Sequence, residues 1–268
     1  WAYLIYTIII ASIGVLIANL IRKRRNEAIN ESKLQFFINI SHELRSPLTL
    51  LVSPLEKLLQ GNFDQATQKN LLRMQRNVHR LLGLVNQILD IRKIDKGLMK
   101  LKYSETEMVG FVQEVFEVFE EQSARRKINF KFEHPMPELQ VWIDCNNFDK
   151  ILTNLLSNSF KYTPDGGEIT IFLSTGTNNQ NRFPLRNYME IKIIDSGIGL
   201  DEDKIDKIFD RFYQGSNQDS FTTIGSGIGL NLTKFLVHLH HGTIVAQNRK
   251  DKRGSIFTVS IPLGKEHL

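Results

Sequence analysis

The sequence has 268 residues, 41% of them hydrophobic and 24% charged, so it can form one or two folded domains and is not of disordered composition. Much of the net charge of +5 comes from one run, Arg22-Lys23-Arg24-Arg25, and we therefore expect no nucleic-acid partner. Cys145 is the only cysteine, which excludes an intrachain disulfide and a multi-cysteine metal site.

The first predicted element is a transmembrane helix at residues 1–21. Residues 2–21 carry no charge, and about twenty apolar residues span a bilayer as a helix. The basic run follows them, so the positive-inside rule places the later residues in the cytoplasm. A signal peptide would carry its charges first, and a buried core helix is rarely this long without charge. We expect a protein of the inner (cytoplasmic) membrane and, since no initiator Met precedes the helix, a fragment of a longer chain.

Two long amphipathic helices are predicted next, over residues 27–60 and 66–96. Apolar side chains recur in both at steps of three and four residues, and Gly61-Asn62-Phe63-Asp64 indicates the turn between them. A lone helical hairpin leaves its apolar stripe uncovered, and pairing of two copies into a four-helix bundle would cover it. We therefore expect residues 22–98 to be a dimerisation domain and the protein to be a parallel homodimer.

The pattern changes after Gly97, where helices and strands mix without regular alternation. This mixture predicts an α+β domain over residues 99–268 rather than a doubly wound sheet. The expected loop at residues 175–187 is polar. Helices are predicted over residues 108–121 and 148–160, and strands over residues 128–132, 139–143, 168–173, 188–194, 243–247 and 255–261.

A histidine lies on the polar face of the first long helix. With Ile40 at the origin of a wheel of about 100° per residue, the apolar stripe covers roughly 0–80°, whereas His42 and Ser46 fall near about 200° and 240°. The Glu43 carboxylate can hold the proton of one imidazole nitrogen and leave the other nucleophilic. The wheel alone favours an ordinary surface histidine.

Several separated motifs indicate nucleotide binding. Asn154, Asn158 and Lys161 share one helical face, where amide oxygens suit Mg²⁺ and the lysine suits phosphate. Asp195-Ser196-Gly197-Ile198-Gly199 follows a strand, and its carboxylate can accept a hydrogen bond from an exocyclic amine. Each motif is weak alone, because glycines form turns and asparagines cap helices.

The other motifs lie closer to the C-terminus. Gly225-Ser226-Gly227-Ile228-Gly229-Leu230 opens a helix, and free N–H groups at a helix N-terminus bind phosphate well. Before it, Ile208-Phe209-Asp210-Arg211-Phe212-Tyr213 leads into a polar stretch that indicates a lid. The glycine spacing fits neither the Rossmann fingerprint nor a P-loop.

Taken together, these strings resemble those of sensor histidine kinases of two-component systems. Phe37-Ile38-Asn39-Ile40-Ser41-His42-Glu43-Leu44-Arg45-Ser46-Pro47-Leu48 closely resembles the phosphoacceptor box of the HisKA-type domain. The later motifs, with Gly254-Ser255-Ile256-Phe257-Thr258, resemble in order the N, G1, F, G2 and last glycine boxes of the ATP-binding domain. That α/β sandwich, of GHKL or Bergerat type, is shared with gyrase, Hsp90 and MutL.

The resemblance implies a role for each residue of the phosphoacceptor box. His42 would take the γ-phosphoryl group of ATP, Glu43 would act as base, and Ser46 would help to place the water that dephosphorylates a response regulator. Thr or Asn is more usual at this last position. The phosphoryl group would then pass to an aspartate in the receiver domain of the response regulator, which is either a separate protein or a later part of a hybrid chain.

The resemblance also implies ATP and Mg²⁺ as ligands of the second domain. Asn158 would ligate the metal, Asn154 and Lys161 would support the phosphates, Tyr162 would line the base or sugar, and Asp195 would recognise adenine. Gln214 stands where many members have Arg. The glycines that would wrap the phosphates are Gly225, Gly227 and Gly229, and the other cofactor-binding residues would be Gly197, Gly199, Leu230 and Thr258.

Two other functions were weighed against the kinase. An ATP-driven clamp of the gyrase or Hsp90 type uses a Glu one helical turn before the Mg²⁺-binding Asn, and Asn154 cannot act as such a base. A non-catalytic dimerisation scaffold would not need His42, Asn158 and Asp195 intact. The stimulus, the cognate regulator and the choice between cis and trans phosphorylation stay open at this stage.

Overall fold

The computed structural model describes residues 44–61, 63–177, 187–213 and 227–265. The chain divides into two compact units, Trp1–Lys96 and Gly97–Leu268. Within the described parts of the chain, no helix is long and apolar enough to cross a membrane. The transmembrane helix predicted at residues 1–21 lies outside these parts, as do His42 and Glu43.

The first unit is the predicted helical hairpin. Helix α1 is described over residues 44–59, and helix α2 spans Gln65–Asp95. The turn ends at Asp64, whose Oδ2 accepts hydrogen bonds of 3.1 Å from the first backbone N–H groups of α2 and so caps that helix. The apolar side chains buried within the hairpin are Leu55, Val78, Val85, Leu89, Ile91 and Ile94.

The second unit is an α/β sandwich, as predicted. Its strands are β1 (Ser104–Glu107), β2 (Asn129–Glu133), β3 (Gln140–Ile143), β4 (Glu168–Thr177), β5 (Asn187–Asp195), β6 (Thr243–Asn248) and β7 (Ser255–Pro262). Its α-helices are α3 (Met108–Arg126), α4 (Cys145–Tyr162) and α5 (Gly229–Leu239), and a 3₁₀-helix spans Glu202–Phe209. The main sheet has the order β2-β4-β5-β7-β6 and is antiparallel except for the β2–β4 pair, whereas β1 pairs with β3 in a small separate sheet.

One face of the main sheet forms the core of this unit. Ile171 lies opposite Ile193, which lies opposite Phe257, so the three side chains share a face. They are at most 4% exposed, and α3, α4 and α5 each contact a strand of this sheet. Asp195 and Ser255 continue the same alternation at one end of the sheet, which directs both side chains toward the helical layer.

The strands differ from the sequence prediction in two places. β4 and β5 extend into the stretch expected to be a loop, because Gly176 pairs with Tyr188 and Thr177 with Asn187. The Tyr188 ring occupies the space beside Gly176, where an added Cβ would lie 2.5 Å from it. β1 was not predicted, because Ser104–Glu107 has no apolar alternation and is a strand only through its pairing with β3.

Candidate active site

Asp195, the last residue of β5, is 3% exposed and held by three hydrogen bonds. Its Oδ1 accepts from the backbone N–H groups of Gly197 at 2.8 Å and Ser255 at 3.2 Å, and its Oδ2 accepts from the Ser255 hydroxyl at 2.5 Å. A carboxylate has about four acceptor directions. One direction therefore remains on Oδ2 for the donor of a ligand, and an exocyclic amine is a donor of the right kind.

The predicted glycines at 197 and 199 are required by close contacts. A Cβ at Gly197 would lie 2.7 Å from the Tyr162 carbonyl oxygen and 2.9 Å from Asp195 Oδ1. Gly199 has a φ of +76°, in the left-handed region that disfavours other residues. The Ile198 N–H donates to the Tyr162 carbonyl at 3.3 Å, so the loop after β5 contacts the end of α4.

Helix α4 carries the four predicted residues of the first nucleotide motif. Asn154 faces the first turn of α5: its Nδ2 donates to Thr233 Oγ1 at 3.5 Å, and a Cβ at Gly229 would lie 3.3 Å from its Oδ1. Asn158 is half-buried one turn later. Tyr162 is 44% exposed, and the Lys161 Nζ lies 4.9 Å from the centre of its ring. The structure thus joins Asn154 to α5 and leaves the other side chains of this face accessible.

The N-terminus of α5 suits an anion. Among the described residues, no side chain caps this helix, whose first turn contains Gly229 and Leu230. A helix N-terminus without a side-chain cap suits phosphate through its backbone N–H groups and the positive end of its dipole. Gly227 precedes the helix with a φ of +66°, and its carbonyl accepts from the Phe212 N–H at 2.9 Å. Gly225 and Gln214 lie outside the described residues.

An arginine braces the hairpin that follows β6. Arg249 donates to both carboxylate oxygens of Asp251, from Nε at 3.0 Å and from Nη2 at 2.6 Å. This hydrogen bonding lowers the pKa of Asp251 to about 2 and raises the pKa of Arg249. Arg249 Nη1 also lies 3.5 Å from the Asp195 carbonyl oxygen, so the brace reaches the strand that carries the site. The hairpin therefore supports the backbone of β5 at Asp195.

Ser255 is the residue of the last glycine motif that contacts Asp195, whereas Thr258 was the residue of that motif predicted to bind the cofactor. Thr258 lies opposite Lys192 and Val245 on the other face of the sheet, because side chains alternate along β7. The structure therefore does not bring Thr258 to Asp195. Ser255 was missed, although it shares the period of Phe257 and Val259, and that alternation is the signal that could have found it.

In the hairpin, Ser46 is exposed on α1, as predicted. Beside it in sequence, Arg45 Nη2 donates to Asn86 Oδ1 on α2 at 2.7 Å, which joins the two helices within the phosphoacceptor box. Asn86 was not predicted to have a role. His42 and Glu43 precede the described part of α1, so their predicted roles rest on sequence.

Two family models match the chain. The model of the "His Kinase A (phospho-acceptor) domain" matches residues 32–97, and that of the "Histidine kinase-, DNA gyrase B-, and HSP90-like ATPase" matches residues 144–265. A histidine kinase of Formosa agariphila is 38% identical over 92% of this chain and 18% of its own length. The hybrid signal transduction histidine kinase D of Dictyostelium discoideum is 35% identical over 90% of this chain and 16% of its own length.

A third relative and two solved structures complete the comparison. The sensor histidine kinase WalK of Bacillus subtilis is 29% identical over 94% of this chain and 40% of its own length. The chain thus spans well under half of each of these relatives. The match to full-length ShkA in complex with AMPPNP covers 86% of this chain and 46% of the ShkA chain, with 20% identity and a TM-score of 0.68. The catalytic domain of histidine kinase ThkA covers 61% of this chain, and the match covers 97% of that domain, with 25% identity and a TM-score of 0.51.

Proposed function

This chain belongs to the sensor histidine kinase family, and we propose that it uses ATP to phosphorylate its own His42 and passes the phosphoryl group to an aspartate of a response regulator. The observation that carries the proposal is the buried Asp195 carboxylate, which Gly197 and Ser255 orient and which keeps one acceptor direction. A carboxylate fixed in this way favours a ligand with an amino group, as adenine has.

The residues present fit ATP and Mg²⁺. Asn158 offers a half-buried amide oxygen, the kind of hard ligand that Mg²⁺ accepts, and the uncapped first turn of α5 offers N–H groups to phosphate. Lys161 supplies positive charge on the same face of α4 as Asn158. When bound, Mg²⁺ would neutralise charge on the phosphate oxygens. The metal assignment to Asn158 rests on this chemistry and on the family likeness.

The transfer itself would use His42 and Glu43. Glu43 holds the proton on one imidazole nitrogen, so the lone pair of the other nitrogen attacks the γ-phosphorus. A P–N bond forms as the bond between the γ-phosphorus and the leaving oxygen of ADP breaks. The receiver aspartate would later take the phosphoryl group from His42 by forming a P–O bond and breaking the P–N bond.

Incubation with γ-labelled ATP tests this function. We expect protein-bound label that is acid-labile and alkali-stable, as phosphohistidine is. His42→Ala should abolish labelling while calorimetry still detects binding of an ATP analogue, because the nucleotide motifs lie in the other unit. Label that persists in this variant would refute His42 as the acceptor, and a wild-type protein that binds no ATP analogue would refute the function itself.

We further propose a parallel homodimer held by residues 27–96. Several large apolar side chains of the hairpin are exposed in a single copy, and they form the surface that a second hairpin would cover: Leu44, Leu51, Leu58, Met74, Leu81 and Ile88. The transmembrane helix at residues 1–21 and the inner-membrane location belong to the same proposal and rest on the sequence.

Ser46 is proposed to assist dephosphorylation of the response regulator. It is exposed on α1, one turn after His42, and its hydroxyl can bind a water. Ser46→Ala should spare autophosphorylation and lower phosphatase activity, measured separately with the cognate regulator. Equal loss of both activities would indicate a local defect of the helix at Pro47 instead.

A further inference from the structure

Asn248, the last residue of β6, binds the glycine loop that follows β5. Its Oδ1 accepts from the Leu200 backbone N–H at 2.6 Å, and its Nδ2 donates to the Leu200 carbonyl at 2.8 Å. One side-chain amide thus bonds both polar groups of one residue, as a residue of a neighbouring strand does in an antiparallel ladder. β6 is an edge strand of the main sheet, so Asn248 extends the pairing of that edge to the loop.

The loop is fixed on both sides. On one side the Ile198 N–H donates to the end of α4, at the Tyr162 carbonyl. On the other side Arg253 Nε donates to the Ile198 carbonyl at 3.1 Å, and Asn248 holds Leu200. Gly199 lies between these anchors, and a Cβ there would lie 3.0 Å from Asn248 Oδ1. The side chain of Asn248 therefore occupies the space that the glycine leaves.

We propose that Asn248 is a positioning residue for adenine recognition, which acts by holding the loop in the conformation where Gly197 orients Asp195. This rests on the proposed function, because it takes Asp195 as the adenine acceptor. Loops with glycines lose the most conformational entropy when they become ordered. Without the two bonds to Leu200, only the bonds of Ile198 would fix the loop, so the Gly197 N–H would be held less firmly on Asp195 Oδ1 and the free direction of the carboxylate would be less well aligned.

The experiment compares ATP with purine riboside triphosphate, which lacks the 6-amino group, in displacement of a fluorescent ATP analogue. Asn248→Ala removes both bonds to Leu200, and we expect about a tenfold loss of ATP affinity. The affinity for purine riboside triphosphate should change by less than about twofold, since that ligand gives Asp195 no amino group. Asn248→Asp keeps the acceptor but loses the donor, so its ATP affinity should fall between that of the wild type and that of Asn248→Ala. Gln247→Ala, at the exposed neighbouring position, is the matched control.

The outcomes separate this inference from the proposed function. A wild-type protein with no preference for ATP over purine riboside triphosphate would refute adenine recognition by Asp195. A wild-type preference that Asn248→Ala leaves unchanged would overturn the role of Asn248 alone. An equal loss of affinity for both ligands would also overturn it, because it would indicate a general structural defect. If Asn248→Ala does not fold, Asn248→Asp decides the question by the ratio of its affinities for ATP and for purine riboside triphosphate, compared with the same ratio in the wild type.

Discussion

Ser255 gives Asp195 both a backbone N–H and a hydroxyl, so one residue supplies two of the three hydrogen bonds that orient the carboxylate. A hydrogen bond to a charged group contributes about 1.5–3 kcal/mol. We therefore expect Ser255→Ala to weaken binding of an ATP analogue by about tenfold or more in calorimetry. Thr258→Ala, on the other face of the same strand, should leave this affinity within about twofold. A larger loss of affinity in Thr258→Ala than in Ser255→Ala would contradict the role of Ser255 and indicate Thr258 as the binding residue.

His240 makes the stability of the second unit depend on pH. The imidazole is 0% exposed, and its Nε2 accepts from the Asp144 N–H at 3.1 Å, so it is held in the neutral form. Burial lowers its pKa below the ordinary value of 6.5. Below that pH the unfolded chain binds a proton that the folded chain does not, so the free energy of unfolding falls as pH decreases. The slope from this residue is at most about 1.4 kcal/mol per pH unit.

Denaturation followed by Trp142 fluorescence, at pH values from about 7.5 to 5.5, measures this dependence. His240→Gln should reduce the slope of the unfolding free energy against pH. A smaller slope should remain, because burial also lowers the pKa of His238. His134→Gln is the control, because His134 is exposed, and its slope should equal that of the wild type. If His240→Gln leaves the slope unchanged, His240 is not a source of the pH dependence.

The sequence motifs contain most residues that the structure brings together at the candidate site, but they do not contain Asn248, which contacts the site through a neighbouring strand. Asp195, Asn154 and the glycines belong to sequence motifs whose residue types already indicate their chemistry. Asn248 is distant in sequence from the loop it binds, and the pairing of β7 with both β5 and β6 brings them together. No periodicity or motif marks such a residue, because its function depends on a contact between separate segments.

At the scale of elements, Arg126 joins the end of α3 to the end of α4. Its guanidinium donates to the carbonyls of Phe160 and Thr163, the latter at 2.6 Å, and to Asp165 at 2.7 Å. The last backbone carbonyls of a helix have no partner within the helix, so they need donors from elsewhere. Because Arg126 is largely buried, we expect Arg126→Ala to lower the free energy of unfolding by about 2–3 kcal/mol.

Arg125 provides the matched control for this prediction. Its side chain is 71% exposed and only forms a 3.8 Å ion pair with Glu121 on the same helix. Surface pairs of this kind contribute little, so Arg125→Ala should change the stability by less than about 0.5 kcal/mol. Urea denaturation of both variants is the measurement. Similar effects of the two substitutions would show that the contacts of Arg126 with α4 do not contribute.

Elements with a strong period were predicted to within a few residues, and the others were not. The hairpin and α4 have continuous apolar stripes, so their existence and type followed from sequence. β1 and the outer ends of β4 and β5 are polar or contain glycine, and tertiary pairing decides their conformation. The 3₁₀-helix at Glu202–Phe209 was also missed, because its eight residues are fewer than the window over which apolar periodicity indicates a helix.

At the scale of the whole molecule, the proposed function divides the reaction between the two units. His42, the proposed acceptor, belongs to the first unit, and the candidate nucleotide residues belong to the second. The exposed apolar residues of the hairpin support the further proposal that it associates with a second copy. The hairpin and the sandwich each have their own buried apolar side chains.

The adjacent leucines 50 and 51 allow a direct test of this association. Leu51 is 50% exposed and lies on the apolar stripe of α1, whereas Leu50 is 71% exposed and lies off the stripe. Burying a carboxylate in an apolar interface costs several kcal/mol. We therefore expect Leu51→Asp to weaken the dimer of residues 27–268 at least about tenfold in sedimentation, and Leu50→Asp to leave it unchanged. Circular dichroism of both variants controls for helix content. Two variants that dissociate equally, or two that remain dimeric, would contradict an interface on this stripe.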